Sequence, residues 1–264
     1  MSSPLFPPYP PFPSTIRLAT ASDIKRMAEL SVLGFRDSEI FRYERPLYHK
    51  FPEDAVASFA DIYHYQLQDP GSLVIVAEDQ PVADEVSHST SDHEKTEDAN
   101  ASTKRVVVGV ASWVLPEDSP RTWQFIGPGV FGNAIPSLDQ DLCQRRLKIF
   151  TDIKIAKEKK YFAGKMICDK LVVHPSYRRR HHATNLLRWG LRLCDQDGVD
   201  QGVMPAHMGE PVYLGLGYKV IDEIHIPDDG EVEGFSQRVV VYKAKDLEKR
   251  EEAIKSLNSE EPIA

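Results

Sequence analysis

The stretch Cys168–Ala183, CDKLVVHPSYRRRHHA, gathers the residue types that hold a small polyanion. Leu171-Val172-Val173 reads as an apolar strand, His174-Pro175 ends it, a basic loop follows, and a helix begins near Ala183. Such a junction presents the N–H groups that a helix leaves unpaired, and the helix dipole favours an anion there. Arg178, Arg179 and Arg180 add forked donors that match phosphate oxygens. A short charge run is also common as a solvated turn. The flanking sequence decides between a phosphate cradle and a surface loop.

The whole chain narrows the choice. Its 264 residues suit one domain with insertions, or two small ones. A formal net charge of −8 disfavours nucleic acid as the main partner, so the basic loop suits a small polyanion. Three cysteines, Cys143, Cys168 and Cys194, have no metal-like spacing and leave one unpaired, which points to a reduced, cytoplasmic setting. No apolar run approaches the ~18 residues of a membrane span. The opening MSSPLFPPYPPFP lacks the features of a signal peptide, so the sequon Asn100-Ala101-Ser102 is taken as chance. His174, His181 and His182 lack a partner at helix-face spacing, so no metal site is expected. No nucleophile elbow, P-loop or dinucleotide fingerprint is present.

Residues 171–183 resemble motif A of the GCN5-related N-acetyltransferase (GNAT) superfamily, an apolar strand ending in V-x-P followed by Q/R-x-x-G-x-G/A and a helix. Val173-His174-Pro175 matches the strand end, and Arg178-x-x-His181-x-Ala183 matches the loop, with His181 where the family usually has glycine. Val212-Tyr213 with Gly217-Tyr218 is similar to the family's L-Y-x-x-x-G-F segment, and Ile16-Arg17, Ala19-Thr20 and Asp23 resemble its usual opening. The three matches occur in family order over roughly residues 15–245, closest to the small-molecule-type GNATs of fungi.

The resemblance implies a single α/β (α+β) domain with a mixed, mostly antiparallel sheet of six or seven strands flanked by helices. It implies transfer of an acetyl group from acetyl-CoA to the amine of a small molecule, by direct attack in a ternary complex. A protein or peptide N-acetyltransferase and a non-catalytic acyl-CoA-binding sensor remain the alternatives. The coenzyme pyrophosphate is expected on the N–H groups around Arg178, Arg179, Arg180, His181, His182, Ala183 and Thr184. Pantetheine is expected along Leu171, Val172 and Val173, with a backbone N–H near Val173 polarising the carbonyl. Tyr213 matches the tyrosine that protonates the departing thiolate, and a neutral phenol suits that donation. From the residues themselves, Asp169 shares a strand face with Leu171 and Val173 by period two, and is either a base for the incoming ammonium or a structural partner of a lysine. The family's E/Q-A-S is replaced by Met204-Pro205-Ala206, and Pro205 cannot donate to a ladder.

The elements that must position these groups follow from periodicity and breakers. Residues 1–14 form a Pro-rich arm, either disordered or packed through Phe6, Tyr9 and Phe12. Ile16–Ala19 is a strand, and Thr20-x-x-Asp23 a capping box for a helix carrying Ile24, Met27, Ala28, Ser31 and Phe35. Phe41, Tyr43 and Tyr48 are acceptor-wall or packing aromatics. Glu53–Gln68 is a second helix, and Ser72–Glu78 and Arg105–Leu115 are strands. Residues 79–104 read as a disordered insertion, being too polar to bury a core. An insertion over 116–165 is a loop and a helix capped by Ser137 and Gln140, covering the acceptor site or merely decorating the domain. Thr184–Cys194 is a helix, Val199–Ala206 a weaker strand, Gly209–Leu216 a short helix, Tyr218–Ile226 and Arg238–Lys243 strands, and 246–264 a charged tail.

Overall fold

The computed structural model describes residues 6–82, 105–133 and 136–245. The proposed disordered insertion beyond residue 82 and the charged tail lie outside the described residues.

The capping box forms as its spacing predicts. Asp23 accepts from the Thr20 N–H and hydroxyl, each at 2.8 Å, and also receives Arg17. It closes β1 (Ile16–Leu18) and starts α1 (Ile24–Phe35) through one 3-10 turn. Two further helices, α2 (Glu39–Glu44) and α3 (Pro52–Gln66), precede the hairpin strands β2 (Ser72–Asp79) and β3 (Val106–Val114). After α4 (Gln144–Tyr161) come β4 (Met166–Val173), α5 (His182–Asp197), β5 (Gln201–Val203), α6 (Glu210–Gly215), β6 (Lys219–Ile226) and β7 (Phe235–Tyr242).

The seven strands form one sheet in the order β1-β2-β3-β4-β5-β7-β6. Every pairing is antiparallel except β4 with β5. One face of the sheet packs on α1 and α3 through Met27, Leu30, Tyr63, Val74, Val110 and Val172. The other packs on α5 and α6 through Trp113, Leu186, Leu187, Trp189 and Tyr213. Gly190 allows α5 its close approach, since a Cβ there would lie 2.6 Å from the Trp113 ring. This is the mixed, mostly antiparallel α/β architecture expected from the sequence.

Three local readings are corrected. The helix expected from Ser137 begins at Gln144. Residues 137–141 are spent on tertiary contacts: the Ser137 hydroxyl donates to Asp54 O at 3.1 Å, Gln140 N–H donates to Asp54 Oδ2 at 2.9 Å, and Asp141 is buried against Arg45. Asp139 has φ +55°, which no right-handed helix accommodates. The weak strand ends at Val203, so Pro205 falls beyond the ladder and removes no sheet hydrogen bond. Asp169 does not share a face with Leu171 and Val173. The β3–β4 register shifts between Ser112↔Lys170 and Trp113↔Cys168, leaving Asp169 as an extra, bulged residue. Cys168 therefore joins the α5 side of the core, while Asp169 meets α3 and α4.

The described part of the arm is packed. Tyr9 and Phe12 meet Phe125 and Trp189, with the Phe12 and Trp189 rings stacked at 4.7 Å. Trp189 Nε1 donates to Pro10 O at 3.0 Å, because prolines leave their carbonyls free for partners outside a ladder. Arg121, fully buried, holds the arm's root. It donates to Asp197 at 2.5 and 2.6 Å, to Pro7 O and Pro8 O, and to Gln124. It also neutralises an aspartate at the C-terminal end of α5, where the dipole disfavours a negative charge.

Replacing Arg121 with leucine strands Asp197 and the Pro7 and Pro8 carbonyls. The expected loss is about 3 kcal/mol in chemical denaturation, with faster hydrogen exchange over residues 9–12. A loss below about 1 kcal/mol with unchanged exchange would mean the aromatic contacts alone hold the arm.

Candidate active site

β4 and β5 begin as neighbours and then part. They pair only at Met166↔Gln201 and Ile167↔Gly202, and the ladder stops while β4 runs on to Val173. The remainder of β4 stays paired on its other side, with Leu171 opposite Ala111, Val172 opposite Val110 and Val173 opposite Gly109. The β5-facing edge of 168–173 is therefore open for an extended group to add as a strand. Leu171 and Val173 are partly buried toward α5, and Val172 is buried under α1 beside Gly34.

The strand leads into the basic loop. His174 N–H bonds Val108 O at 2.8 Å, and its Nδ1 accepts from Ser176 N–H at 3.2 Å, opening a 3-10 turn over Pro175–Tyr177. Arg178, Arg179 and Arg180 are exposed. Arg178 reaches Gly34 O at 3.3 Å. Arg180 lies over the Tyr177 ring and pairs with Asp79 at 3.3 Å. His181 caps α5 in the left-handed conformation, φ +64°, and Arg179 shares that φ. This explains why glycine suits position 181: the loop requires a backbone that L-residues adopt at a cost. His182, Ala183 and Thr184 form the first turn of α5, whose N–H groups have no intrahelical acceptor. His182 Nε2 lies 3.0 Å from Asp79 Oδ2. Asp79 thus ties the end of β2 to the loop. Burial tends to raise its carboxyl, but the Gln80 N–H, His182 and Arg180 hold it below the usual range.

At the opposite end of the open edge is Tyr213, 4% exposed, on α6. Its hydroxyl lies 3.6 Å from Cys168 Sγ, and its ring meets Tyr218 edge-on at 5.3 Å. The Tyr218 hydroxyl bonds Gln201 Oε1, which also accepts from Trp113 Nε1 at 3.2 Å. Burial pushes the Tyr213 hydroxyl well above its ordinary range and the Cys168 thiol up to about 12. Tyr213 is therefore neutral at any working pH, and its hydroxyl already lies against a sulfur.

On the other side of the sheet, the Asp169 carboxylate accepts from Gln66 Nε2 at 2.9 Å, Lys154 Nζ at 3.2 Å and Lys170 Nζ. Burial alone would raise its carboxyl, but Lys170 and Lys154 overcome this and hold it well below the usual range. A carboxylate so fully paired has little proton affinity. The arrangement is the lysine-paired one that the sequence left open.

One group in this neighbourhood carried no sequence signal. Glu44 ends α2, partly buried beside Lys154 and Lys170, and burial pushes its carboxyl up to about 7. It sits in a charged, aromatic stretch, so only the fold distinguishes it. The insertion helix α4 forms the wall here. Arg146, almost fully buried, bonds Asp229 at 2.6 Å and Glu231 at 2.7 Å in the β6–β7 turn, and packs over Tyr43. Arg45 bonds Asp141 at 2.6 Å, and Lys157 bonds Asp222 at 2.5 Å. Of the three aromatics offered as acceptor contacts, Phe41 and Tyr43 are buried packing residues and Tyr48 is partly buried against Phe41. Among the described residues, no group of three or more His, Cys, Asp and Glu side chains is placed to hold a metal, and no helix is long and apolar enough to cross a membrane.

An open edge beside a parallel pair, a helix N-terminus at one end and a buried hydroxyl at the other are the features that the resemblance to the GNAT family leads one to expect. The chain is 57% identical over 240 residues to a protein named Acetyltransferase from the fungus Stachybotrys chartarum, covering 91% of this chain and 95% of that one. No family model matches. Among solved structures it is similar to a Corynebacterium glutamicum protein described as histone acetyltransferase HPA2 and related acetyltransferase, with a TM-score of 0.52 and 15% identity over 88% of this chain and 97% of that one. A Salmonella typhimurium acetyltransferase solved with acetyl-CoA is also similar, with a TM-score of 0.45 and 13% identity over 88% and 94% of the two chains. The chain belongs to the acetyltransferases and has the GNAT fold.

His181→Gly relieves the left-handed strain at an exposed position. Thermal and chemical denaturation should show a gain of about 0.5–1 kcal/mol, with coenzyme affinity kept or raised. A large loss of affinity would show that the imidazole itself contacts the coenzyme.

Proposed function

We propose that this acetyltransferase moves the acetyl group of acetyl-CoA to the amine of a small molecule, by direct attack in a ternary complex. The observation that carries the reading is the course of β4: one strand with an open edge joins the basic N-terminus of α5 to the hydroxyl of Tyr213. The first-turn N–H groups of α5, with Arg178, Arg179 and Arg180, would hold the pyrophosphate. Leu171, Val172 and Val173 would pair with pantetheine as an added strand, placing the thioester carbonyl near the bulge.

Tyr213 would protonate the departing thiolate. In water a phenol is a weaker acid than a thiol, so the transfer would run uphill. Burial raises both groups, the Cys168 thiol up to about 12 and the Tyr213 hydroxyl well above its ordinary range, so the transfer would be drawn forward by loss of a proton from the attacking nitrogen rather than by the acidity of the phenol. Asp169 is better suited to fixing Lys154 and Lys170 than to taking a proton.

The size of the acceptor is argued from α4. The helix is fastened to the β6–β7 turn by Arg146 and to β6 by Lys157, and Asp141 just before it receives Arg45. An acceptor entering beside α4 would find this side narrowed by these ties, which favours a small molecule over an extended peptide.

Calorimetric titration with acetyl-CoA tests the cofactor. Micromolar binding is expected, weakened at least about hundredfold when Arg178, Arg179 and Arg180 are changed to alanine. No binding to the intact protein would overturn the reading. With an acceptor in hand, Tyr213→Phe is expected to lower kcat by roughly 10²-fold or more while acetyl-CoA affinity stays. Unchanged turnover would remove Tyr213 from the chemistry, and acetylation of peptides in preference to small amines would move the enzyme to the protein-directed class.

A further inference from the structure

The polar cluster on the α3 and α4 side of the bulge is short of one cation and of hydrogen-bond donors. Three carboxylates meet there: Asp169 on β4, Glu158 on α4 and Glu44 at the end of α2. Two ammonium groups face them, Lys170 and Lys154, and both are taken. Lys170 bonds Asp169, while Lys154 lies 3.2 Å from Asp169 and 3.6 Å from Glu158. Arg45, next to Glu44 in the chain, acts on its charge through space but makes no bond to it: the guanidinium bonds Asp141 and Ser58 and lies over the Phe41 and Phe59 rings. The Glu44 carboxylate is left without a hydrogen bond or ion pair among the described residues, in a neighbourhood where Asp141, Asp169 and Asp229 are all paired.

A second group in the cluster lacks a partner. Gln66, on α3 and only 7% exposed, gives its Nε2 to Asp169, while its buried Oε1 has no donor among the described residues. Nearby Tyr63 on α3 is occupied with the Ser31 hydroxyl at 2.7 Å. An unpaired carboxylate and an unpaired amide oxygen describe a place for a group that brings positive charge and several N–H donors. A primary ammonium carries one charge and three donors.

We propose that Glu44 receives the ammonium of the acceptor, first as its counter-ion and then as the acceptor of its proton, and that the acceptor is therefore a small amine cationic in solution. This rests on the acetyl-transfer reading above and adds to it the substrate class and the base. In the step, one N–H proton passes from the ammonium to a Glu44 oxygen and frees the lone pair. The nitrogen attacks the thioester carbon, the C–N bond forms, and the C–S bond breaks as the tetrahedral intermediate collapses. Tyr213 protonates the sulfur, the nitrogen's second proton passes through solvent to restore the Tyr213 hydroxyl, and Glu44 returns its own proton to solvent, so that one proton is released overall.

Glu44 and Asp169 then have opposite fates from one neighbourhood. Asp169 has captured both lysines and lost its proton affinity, whereas Glu44, whose burial Arg45, Lys154 and Lys170 offset only in part, holds a carboxyl pushed up to about 7. A base poised there is ionised at working pH and still takes a proton readily.

The test uses the full chain, acetyl-CoA and three probe amines: 2-phenylethylamine and putrescine, both cationic at neutral pH, and p-anisidine, which is not. The wild type should acetylate the two cationic amines, with kcat/KM rising about tenfold per pH unit up to about pH 7 and level above it. Glu44→Gln should lower those values by roughly 10²-fold at pH 8 and abolish the rise, while acetyl-CoA affinity by calorimetry and the rate with p-anisidine change less than about threefold. Glu44→Asp should recover part of the activity with the pH rise restored. If Glu44→Gln acetylates 2-phenylethylamine and putrescine like the wild type, or the wild type binds acetyl-CoA yet acetylates neither, the proposal is overturned while the coenzyme reading stands. If the wild type does not bind acetyl-CoA, both fall.

Discussion

The bulge at Asp169 is the constraint on which the site depends. A strand of strict period two would turn Asp169 toward the apolar layer beneath α5, among Leu171, Val173 and Leu186. A bare carboxylate there would cost several kcal/mol. One extra residue in β4 reverses the alternation: Cys168 turns to the Tyr213 side, and Asp169 turns to α3 and α4, where Gln66, Lys154 and Lys170 meet it. The sheet thereby presents an apolar layer holding the Cys168 sulfur on one face and a charged cluster on the other, at the same point along one strand. Bond-making between an amine and a thioester needs both: a polar side to deliver the nitrogen and a dry side to receive the sulfur.

The divergence of β4 from β5 is the complementary constraint. β5 has three residues and pairs with β4 at two positions before the chain leaves for α6. Pro205 lies just past this exit, and Gln237 Nε2 donates to Met204 O at 2.6 Å, so the chain leaves the ladder without an unmet carbonyl. The open edge is thus built by ending one strand early rather than by bending the other. Its far end is the basic loop, where Asp79 occupies Arg180 and His182. These side chains already have an anionic partner, which fixes the loop in shape while leaving the backbone N–H groups of the first turn of α5 facing outward.

How much of this was legible follows from the range of the interactions. The α1 capping box, the apolar runs of β2, β3 and β4, and the basic junction before α5 are local patterns, and they appear as read. The bulge is not local: it depends on the register between β3 and β4, and no residue in Cys168-Asp169-Lys170 announces it. The start of α4 was misplaced because Ser137 and Gln140 carry a capping pattern that contacts with Asp54 override. Of the arm, composition left order and disorder open; the deciding group, Arg121, lies over a hundred residues away in a loop with no motif. Glu44 was invisible for the same reason. A surface glutamate and one stripped of partners beneath α4 look alike in sequence, since the difference lies in which lysines have already been claimed.

Burial costs a charge the same type of penalty wherever it occurs, and the outcome is set by pairing. Arg121 and Arg146 are buried as deeply as any side chain in the molecule, yet their forked donors meet carboxylates or carbonyls that fix distant segments in place. In such pairs the Coulomb gain and the hydrogen bonds offset desolvation, and the product is geometry: one pair seats the arm on α5, the other seats α4 on the β6–β7 turn. Where pairing is withheld, the penalty persists as altered proton affinity, upward for the Glu44 carboxyl, the Cys168 thiol and the Tyr213 hydroxyl. These three groups lie near the bulge, on either side of β4, and each keeps its proton more tightly than it would in water. The paired charges hold the walls of the site, and in the proposed reaction the groups without an ionic partner would handle the protons.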